Sequence, residues 1–271
     1  MPWAHLLPDY ARSRSTYGQN LIALAVQLER RSVAEKRPIR VLDIGANIGD
    51  SAAQIMAQTD ALVLCVEGDP YWARYLRMNL GDNSRAVIEE SLLTPAEGEW
   101  ESATPIRTQG TTRFSNDAST AGHLPSLSTM ALRDAHPEFA QLRLIKSDTD
   151  GLDPVLVPAA AAAWKDSSPV LFFEFDPTMA RGCDNSNPNL IWRQLAELGY
   201  SRLAIWDNGG DPLGQLSIDD AASAASILEP TPSHLGYDFW DVAACTDDDA
   251  AAIAAFEELV PQSYSELGTW R

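Results

Sequence analysis

The sequence predicts a doubly wound α/β sheet, which is an open and mostly parallel sheet with helices on both faces. Short apolar runs, typical of strands buried on both faces, alternate with stretches whose apolar residues recur every three to four positions. The first of these runs, at 41–44, turns at once into a helical stretch through glycine-rich residues 45–49. A hydrophobic content of 45% in 271 residues supports a sizeable core. We therefore expect a single domain over residues 1–271.

The elements follow one another in a regular order. A helical period over 10–31 precedes the first strand, and residues 1–38 are predicted to form an N-terminal helical cap. The predicted strands are 41–44, 61–66, 85–89, 142–147, 170–174, 200–206 and 236–244. The predicted helices are 51–58, 70–80, 130–134, 158–164, 188–198 and 247–259. This order predicts a seven-stranded Rossmann-like core over 39–245, followed by a C-terminal helix and tail over 246–271.

One long segment, residues 94–129, interrupts this alternation. It is rich in Thr, Ser, Gly and Asn, and only 103–107 and 111–114 have the composition of short strands. A stretch of this length inside a compact domain is usually functional or mobile. We expect the specificity of any ligand site to lie here and in 176–190.

The turn after the first strand is the most informative local pattern. Gly45, Ala46, Asn47 and Gly49 carry little side-chain bulk, so a ligand can approach the bare backbone at the carboxyl end of the sheet. Asp43 lies inside the strand just before them. A carboxylate at that place repels a pyrophosphate and favours a cationic ligand.

The second predicted strand ends in Glu67, which lies 18 residues beyond Gly49 and 24 beyond Asp43. An acid at this position is suited to hold a ribose diol. A lone glycine turn or a lone loop acid is often only structural, but the two at this spacing predict a nucleoside site. The G-x-G-x-x-G fingerprint of nicotinamide dinucleotides is absent. The cationic S-adenosylmethionine is therefore the predicted cofactor.

The chain resembles the FkbM-type methyltransferases over residues 40–210. The motifs that carry the resemblance are Asp-Ile-Gly-Ala-Asn-Ile-Gly-Asp at 43–50, Val-Glu-Gly-Asp-Pro at 66–70, Tyr-Leu-x-x-Asn at 75–79, Leu-Ile-Lys-Ser-Asp-Thr-Asp-Gly at 144–151, Val-Leu-Phe-Phe-Glu at 170–174 and Leu-x-x-Leu-Gly-Tyr at 195–200. The resemblance implies a class I methyltransferase fold with an antiparallel last strand. It also implies O-methylation of a hydroxyl on a small molecule, such as a secondary metabolite or a sugar.

Three residues are candidates for catalysis. Asp148 ends the fourth predicted strand, where the strand order of a doubly wound sheet reverses, and is predicted to face the substrate. Lys146 lies two residues earlier and either orients the substrate or forms an internal ion pair with Asp148 that holds the strand end. His123, in the long segment, is either a base near neutral pH or an exposed residue without a role.

Four further residues complete the predicted site. Glu90 and Ser91 follow the third strand, where they would approach the adenine of the cofactor. Asp150 and Glu174 are expected to contact the substrate, although Asp150 also suits a turn. Asp148 and Glu174 offer the hard oxygen ligands that divalent cations prefer, but the sequence predicts no metal site.

Composition excludes several classes of protein. The net charge of −18, from 38 acids and 20 bases, argues against binding to nucleic acid. No apolar run approaches the roughly 18 residues of a membrane span, and the N-terminus lacks the pattern of a signal peptide. Three scattered cysteines are typical of a reduced cytoplasm. We expect a cytoplasmic protein with a small hydroxylated acceptor as its partner, and a homodimer is compatible with the sequence.

The sequence leaves more than one functional class open. The first is a methyltransferase that uses S-adenosylmethionine, for which the resemblance implies O-methylation. The alternative is a non-catalytic module that binds a nucleoside for regulation. A nicotinamide-dependent oxidoreductase is disfavoured by the missing glycine fingerprint.

Overall fold

The computed structural model describes residues 18–32, 38–97, 104–108, 111–115, 124–183, 187–207, 209–224, 230 and 239–260. The strands in these ranges are β1 Arg40–Ile44, β2 Leu62–Val66, β3 Ala86–Glu89, β4 Leu92–Thr94, β5 Thr104–Thr108, β6 Thr111–Ser115, β7 Ser126–Ser128, β8 Leu144–Ser147, β9 Val170–Phe175, β10 Tyr200–Asp207, β11 Pro212–Ser217 and β12 Trp240–Thr246. The α-helices are α1 Gln19–Arg31, α2 Asp50–Gln58, α3 Pro70–Leu80, α4 Thr129–Ala135, α5 Asp153–Ala163, α6 Pro177–Gly182, α7 Leu190–Glu197, α8 Ile218–Ala224 and α9 Ala250–Leu259. Short 3₁₀ turns occupy Pro137–Phe139 and Lys165–Ser167.

The main sheet has the strand order β3-β2-β1-β8-β9-β12-β10-β11. Strands β3, β2, β1, β8 and β9 are parallel. Strand β12 runs antiparallel to both of its neighbours, β9 and β10. The order reverses between β1 and β8, which places a crevice at the carboxyl ends of these two strands.

Helices cover both faces of this sheet, as the sequence predicts. Apolar side chains of α1, α2 and α9 pack with Val41 and Val63 on one face. Those of α4, α5, α7 and α8 pack with Leu42 and Leu64 on the other. Successive residues of a strand point to opposite faces, so Asp43 faces the same way as Val41. In the described ranges no helix is long and apolar enough to cross a membrane.

The prediction of seven strands is wrong, because the main sheet has eight. The additional strand β11 lies at one edge and pairs antiparallel with β10. Its sequence, Pro-Leu-Gly-Gln-Leu-Ser, begins with proline and contains glycine, both of which are poor strand formers. The turn before it is held by the carboxylate of Asp207, which accepts hydrogen bonds from the backbone N–H groups of Gly209 and Asp211.

Other predictions differ from the structure mainly in their bounds. Helix α5 begins at Asp153, five residues before the predicted start, and Pro158 lies inside it. The last strand is Trp240–Thr246 and is antiparallel, as the resemblance implies. The predicted short strands of the long segment correspond to β5 and β6, which form a hairpin. Strands β4 and β7, which the sequence does not predict, pair in parallel beside it.

Candidate cofactor and substrate site

A glycine turn joins β1 to α2 and forms the floor of the candidate site. Gly45 and Gly49 have φ angles of +71° and +85°, which other residues rarely adopt. A Cβ on Gly45 would lie 2.0 Å from the carbonyl oxygen of Asp148. The side-chain amide of Asn79 donates to the carbonyl oxygen of Ile48 at 2.8 Å. The motif residue Asn79 therefore supports the turn from α3.

The carboxylate of Glu67 connects the end of β2 to this turn. Its Oε2 accepts a hydrogen bond from the backbone N–H of Asn47 at 2.8 Å, and its Oε1 accepts one from Asp69 at 2.7 Å. The residue is 6% exposed. Burial raises the pKa of Glu67 to about 7, although the two backbone N–H groups act in the opposite direction. The predicted ribose acid and the glycine turn are thus one hydrogen-bonded unit.

A buried ion pair lies beneath the turn. Asp43 and Lys146 are partners in the register of β1 and β8, and Lys146 Nζ lies 2.9 Å from Asp43 Oδ1. The same ammonium group donates to the carbonyl oxygen of Gly45 at 3.0 Å. Burial acts to lower the pKa of Lys146, but the charges of Asp43 and Asp148 outweigh it and raise the pKa above its ordinary value. Lys146 therefore stays charged at neutral pH, and its nearest carboxylate is that of Asp43 rather than that of the predicted partner Asp148.

Asp148 follows β8 and is the most accessible carboxylate of this group. Its side chain is 39% exposed and lies 3.9 Å from Lys146 Nζ. The loop that carries it is held by Asp153, which accepts hydrogen bonds from Ser147 Oγ at 2.7 Å and from the backbone N–H of Thr149 at 3.2 Å. Burial raises the pKa of Asp153 to about 6. The loop is therefore braced from below while Asp148 remains available to a ligand.

A cavity of about 50 Å³ opens between the ends of β1, β2 and β8. Its polar lining includes Asn47, Glu67, Ser91, Asp148 and Asp150. Its apolar lining includes Trp72, Leu92, Leu93, Phe114 and Leu156. One side of the cavity thus offers carboxylates and backbone groups, and the other offers aromatic and aliphatic surface.

The β5–β6 hairpin covers this cavity and is bound to both sides of it. Arg107 forms two hydrogen bonds of 2.6 Å with the carboxylate of Asp69, which is fully buried. Thr112 Oγ1 also donates to Asp69, at 2.9 Å, and the backbone N–H of Thr112 donates to Asp150 Oδ2 at 3.1 Å. Trp72 Nε1 donates to Thr112 Oγ1 at 2.8 Å. The hairpin therefore joins the loop after β2 to the loop after β8.

A second cavity, of about 40 Å³, lies on the other side of Asp148. Glu174 and Asp241 are cross-strand partners on β9 and β12, and both line this cavity. Asn20 at the start of α1 donates to Asp241 Oδ2 at 2.7 Å. Burial raises the pKa of Asp241 to about 7. Burial and the charge of Asp148 raise the pKa of Glu174 well above its ordinary value.

The structure brings most of the predicted site residues together. Asp148 lines both cavities, whereas Asp150 and Ser91 line only the first. Ser91 is buried and donates its hydroxyl to Glu89 at 2.6 Å. Glu90 does not line the cavity and instead forms an ion pair with Arg77 on α3. His123 lies outside the described residues.

Ala46 contributes through its backbone, which donates to the carbonyl oxygen of Val66 at 3.0 Å. Asp241 is the site residue that the sequence reasoning missed. In the sequence, Asp241 is an acid near the start of an apolar strand. Because β12 runs antiparallel to β9, its start lies at the edge of the sheet where the parallel strands end. In the described part of the chain, no group of three or more His, Cys, Asp or Glu residues is arranged to hold a metal ion.

No protein-family model and no curated protein sequence matches this chain. Solved structures do resemble it. A TehB-like SAM-dependent methyltransferase from Corynebacterium glutamicum is 11% identical, with 89% of this chain and 94% of that chain covered and a TM-score of 0.43. A precorrin-6y C5,15-methyltransferase from Geobacter metallireducens is 10% identical, with coverage of 84% and 88% and a TM-score of 0.42.

A precorrin 8w decarboxylase from Methanobacterium thermoautotrophicum is 8% identical, with coverage of 80% and 89% and a TM-score of 0.39. All three TM-scores lie below 0.5. Similarity at this level leaves the chemistry of the chain to be inferred from its own residues.

Proposed function

We propose that this protein is an S-adenosylmethionine-dependent methyltransferase that binds its cofactor between the glycine turn and Glu67. The observation that carries the proposal is the hydrogen bond from the backbone N–H of Asn47 to Glu67 Oε2. It places a buried carboxylate beside bare backbone at the crevice where the strand order reverses. Doubly wound sheets bind nucleosides at this location.

The donors and acceptors of the site fit this cofactor. Each oxygen of Glu67 accepts one backbone hydrogen bond. A carboxylate oxygen has a second lone pair, so Glu67 can still accept hydrogen bonds from the two hydroxyls of a ribose. Trp72 and Phe114 offer the apolar surface that an adenine needs. The cavity of about 50 Å³ is smaller than a nucleoside, so we expect the β5–β6 hairpin to shift when the cofactor enters.

The same contacts make a pyrophosphate-containing cofactor unsuitable. The backbone N–H of Asn47, which could face a phosphate, already donates to a carboxylate. Asp50 adds a negative charge in the first turn of α2. A pyrophosphate needs free N–H groups and positive potential at this helix end. The structure therefore favours a cationic cofactor over a nicotinamide dinucleotide.

S-adenosylmethionine supplies a methyl group on a sulfonium, which is already a good leaving group. The residues of this chain have to align the acceptor oxygen with that methyl, and such alignment can contribute about 7–11 kcal/mol. Asp148 borders both cavities and is 39% exposed, so it is placed to accept the proton of an acceptor hydroxyl. Lys146 positions the turn and the strand end rather than accepting a proton.

The second cavity favours a hydroxyl as the acceptor group. Burial raises the pKa of Asp241 to about 7, so part of its population is protonated at neutral pH, and burial raises the pKa of the adjacent Glu174 well above its ordinary value. A protonated carboxyl group both donates and accepts a hydrogen bond, as a neutral hydroxyl requires. We propose O-methylation of a small hydroxylated molecule, in line with the resemblance to FkbM-type methyltransferases.

Calorimetric titration with S-adenosylmethionine and S-adenosylhomocysteine tests the cofactor, with NADH as the comparison ligand. We expect both sulfur-containing ligands to bind and NADH not to bind. Glu67→Gln should weaken the binding by about 30-fold or more, because hydrogen bonds to a charged group contribute about 1.5–3 kcal/mol each. Glu197→Gln, an exposed acid on α7, is the matched control. Absence of binding by either ligand would refute the proposal.

Catalysis is tested with Asp148→Asn. We expect this variant to bind S-adenosylhomocysteine as the unmodified protein does, and to lose methyl transfer to any hydroxylated acceptor found in a screen with labelled cofactor. If the unmodified protein binds the cofactor but methylates nothing in the screen, the non-catalytic regulatory module becomes the better explanation. If Asp148→Asn turns over normally, Asp148 is not the base.

A further inference from the structure

A large cleft lies at the opposite end of the main sheet, beside the amino ends of β1, β8 and β9. Its volume is about 560 Å³, which lies in the range of small-molecule binding pockets. The end of α1 and the start of α9 complete its wall. We propose that this cleft binds a small molecule through a phosphate or carboxylate group, and that Arg40 is the residue that holds it.

Three arginines, Arg31, Arg40 and Arg143, line the cleft. Both terminal nitrogens of Arg143 donate to the carboxylate of Asp249. Arg31 pairs with Glu258. Arg40 forms no ion pair and no side-chain hydrogen bond with any residue of the described ranges. Among the described residues, Arg40 is therefore the arginine of this cleft without an ion-pair partner, in a chain whose net charge is −18.

The guanidinium group of Arg40 is the part of the cleft that can bind an oxyanion. Its Nε is buried and has no hydrogen-bond acceptor among the described residues, whereas its terminal nitrogens are not among the buried unpaired atoms. Most polar groups in folded proteins have a hydrogen-bond partner. A guanidinium group matches a carboxylate or a phosphate with two parallel hydrogen bonds. An oxyanion in the cleft would therefore pair with the terminal nitrogens of Arg40.

The N-terminus of α9 is a second source of positive potential at the cleft. The ten-residue helix begins there, and Ala251 in its first turn lines the cleft. A helix N-terminus attracts negative charge, although the Asp249 carboxylate already caps this one by accepting a hydrogen bond from the backbone N–H of Ala252. On the opposite wall, the hydroxyl groups of Ser167 and Ser168 donate to the carbonyl oxygens of Trp164 and Lys165.

The carboxylates of the cleft limit what can bind. Asp249 is neutralised by Arg143. Asp248 also lines the cleft, and within the described ranges its carboxylate accepts a hydrogen bond from the hydroxyl of Thr246 and forms no ion pair. An uncompensated carboxylate at that wall repels a ligand that is anionic along its whole length. The cleft therefore suits a molecule with one oxyanion group, placed at Arg40, and a neutral or cationic remainder.

The binding test uses the full chain at constant ionic strength, with inorganic phosphate and the monocarboxylate butyrate as probes. Calorimetry and thermal unfolding should show saturable binding of at least one probe. Arg40→Met keeps most of the aliphatic stem and should weaken the binding by about tenfold or more. Gln141→Glu keeps nearly the same side-chain shape but adds a negative charge at the rim of the cleft, and should weaken probe binding several-fold. Arg193→Met, an exposed arginine on α7, is the charge-matched control and should bind as the unmodified protein does.

The probes distinguish the two oxyanions. Binding of phosphate alone assigns a phosphate group to the ligand, binding of butyrate alone assigns a carboxylate, and binding of both supports an oxyanion site of either kind. The proposal is overturned if neither probe binds, or if Arg40→Met binds as tightly as the unmodified protein. If Arg40→Met does not fold, unchanged binding by Gln141→Glu overturns it.

Discussion

The two ends of the parallel sheet carry opposite charges on the same strands. Strand β1 begins with Arg40 and has Asp43 three residues later, and β8 follows Arg143 and precedes Asp148. The carboxyl end therefore gathers acids around the glycine turn, and the amino end gathers arginines around a cleft. A net charge of −18 hides this separation. The difference shows that the position of a charge along a strand, rather than the sum of charges, indicates what each end can bind.

The largest expected effect is at the glycine turn of the acidic end. Gly45→Ala introduces a Cβ that would lie 2.0 Å from the carbonyl oxygen of Asp148, at a φ of +71°. Strain and overpacking together should lower the free energy of unfolding by about 5 kcal/mol. Gly199→Ala is the control, because Gly199 has a φ of +95° and no atom near its Cβ position.

Urea denaturation measures both glycine variants. The control should lose about 1–2 kcal/mol, since only the backbone conformation is unfavourable there. Equal losses in the two variants would mean that the close approach between the turn and the loop after β8 does not exist.

The second-largest effect on stability is expected when the cation beneath the acidic carboxyl end of the sheet is removed. Lys146→Met leaves Asp43 buried without its ion-pair partner. Breaking a buried pair in this way should cost about 3 kcal/mol of unfolding free energy, and the glycine turn should bind the cofactor more weakly because the contact with the Gly45 carbonyl is lost. Lys165→Met, at an exposed lysine, should leave both properties unchanged. An unaffected unfolding midpoint in Lys146→Met would contradict the ion pair.

The third expected effect is a pH dependence of stability that arises at the acidic carboxyl end of the sheet and not at the amino end. Folding raises the pKa of Glu67 from 4.5 to about 7 and that of Asp241 from 3.8 to about 7. The folded state therefore binds these protons more tightly than the unfolded state. The stability they contribute is present below about pH 4 and is lost as the pH rises to about 7.

The unfolding free energy of the ligand-free protein should accordingly fall by about 2 kcal/mol or more between pH 5 and pH 8. Glu67→Gln and Asp241→Asn should each make this pH dependence shallower. Arg40→Met, at the other end of the sheet, should leave the slope as it is. A stability that rises with pH over this interval would show that both carboxyl groups are ionised in the folded protein.

The smallest effect concerns the hairpin over the acidic end. Arg107→Gln removes one partner of the buried Asp69 but leaves the hydrogen bond from Thr112. We expect S-adenosylhomocysteine to dissociate about five times faster, because a partly exposed ion pair contributes on the order of 1 kcal/mol. Arg74→Gln, at an exposed arginine of α3, is the control for stopped-flow measurements. Equal dissociation rates would show that the hairpin does not retain the ligand.

The sequence predicts the acidic end well where the relevant residues are close in the chain. The turn at 45–49 and Glu67 follow adjacent strands, so spacing alone places them together. The partnership of Asp43 with Lys146 requires knowing that β1 and β8 are neighbours in register. The sequence suggested Asp148 as the ion-pair partner of Lys146 and did not indicate Asp43, for this reason.

The features that the sequence did not predict depend on the order of the strands in the sheet. Asp241 reaches the site because β12 lies between β9 and β10, which no local pattern indicates. Strand β11 lacks the composition of a strand and is held by pairing with β10. Glu90 was predicted to approach the adenine because it follows β3, but it forms an ion pair with the nearby Arg77 on α3 instead. The cleft around Arg40 was not predicted either, because its arginines come from distant segments.

The reversed direction of β12 has a consequence for how this protein can diversify. The parallel strands place their last residues at the carboxyl edge of the sheet, whereas β12 places its first residues, Trp240 and Asp241, at that edge. Changes in the connection that precedes β12 can therefore alter the recognition surface while the hydrogen bonds between β9, β12 and β10 stay in register. Among proteins with this strand order, we expect the sequence differences that change the acceptor to concentrate in the connection before β12. Changes there disturb the hydrogen bonds of the sheet least.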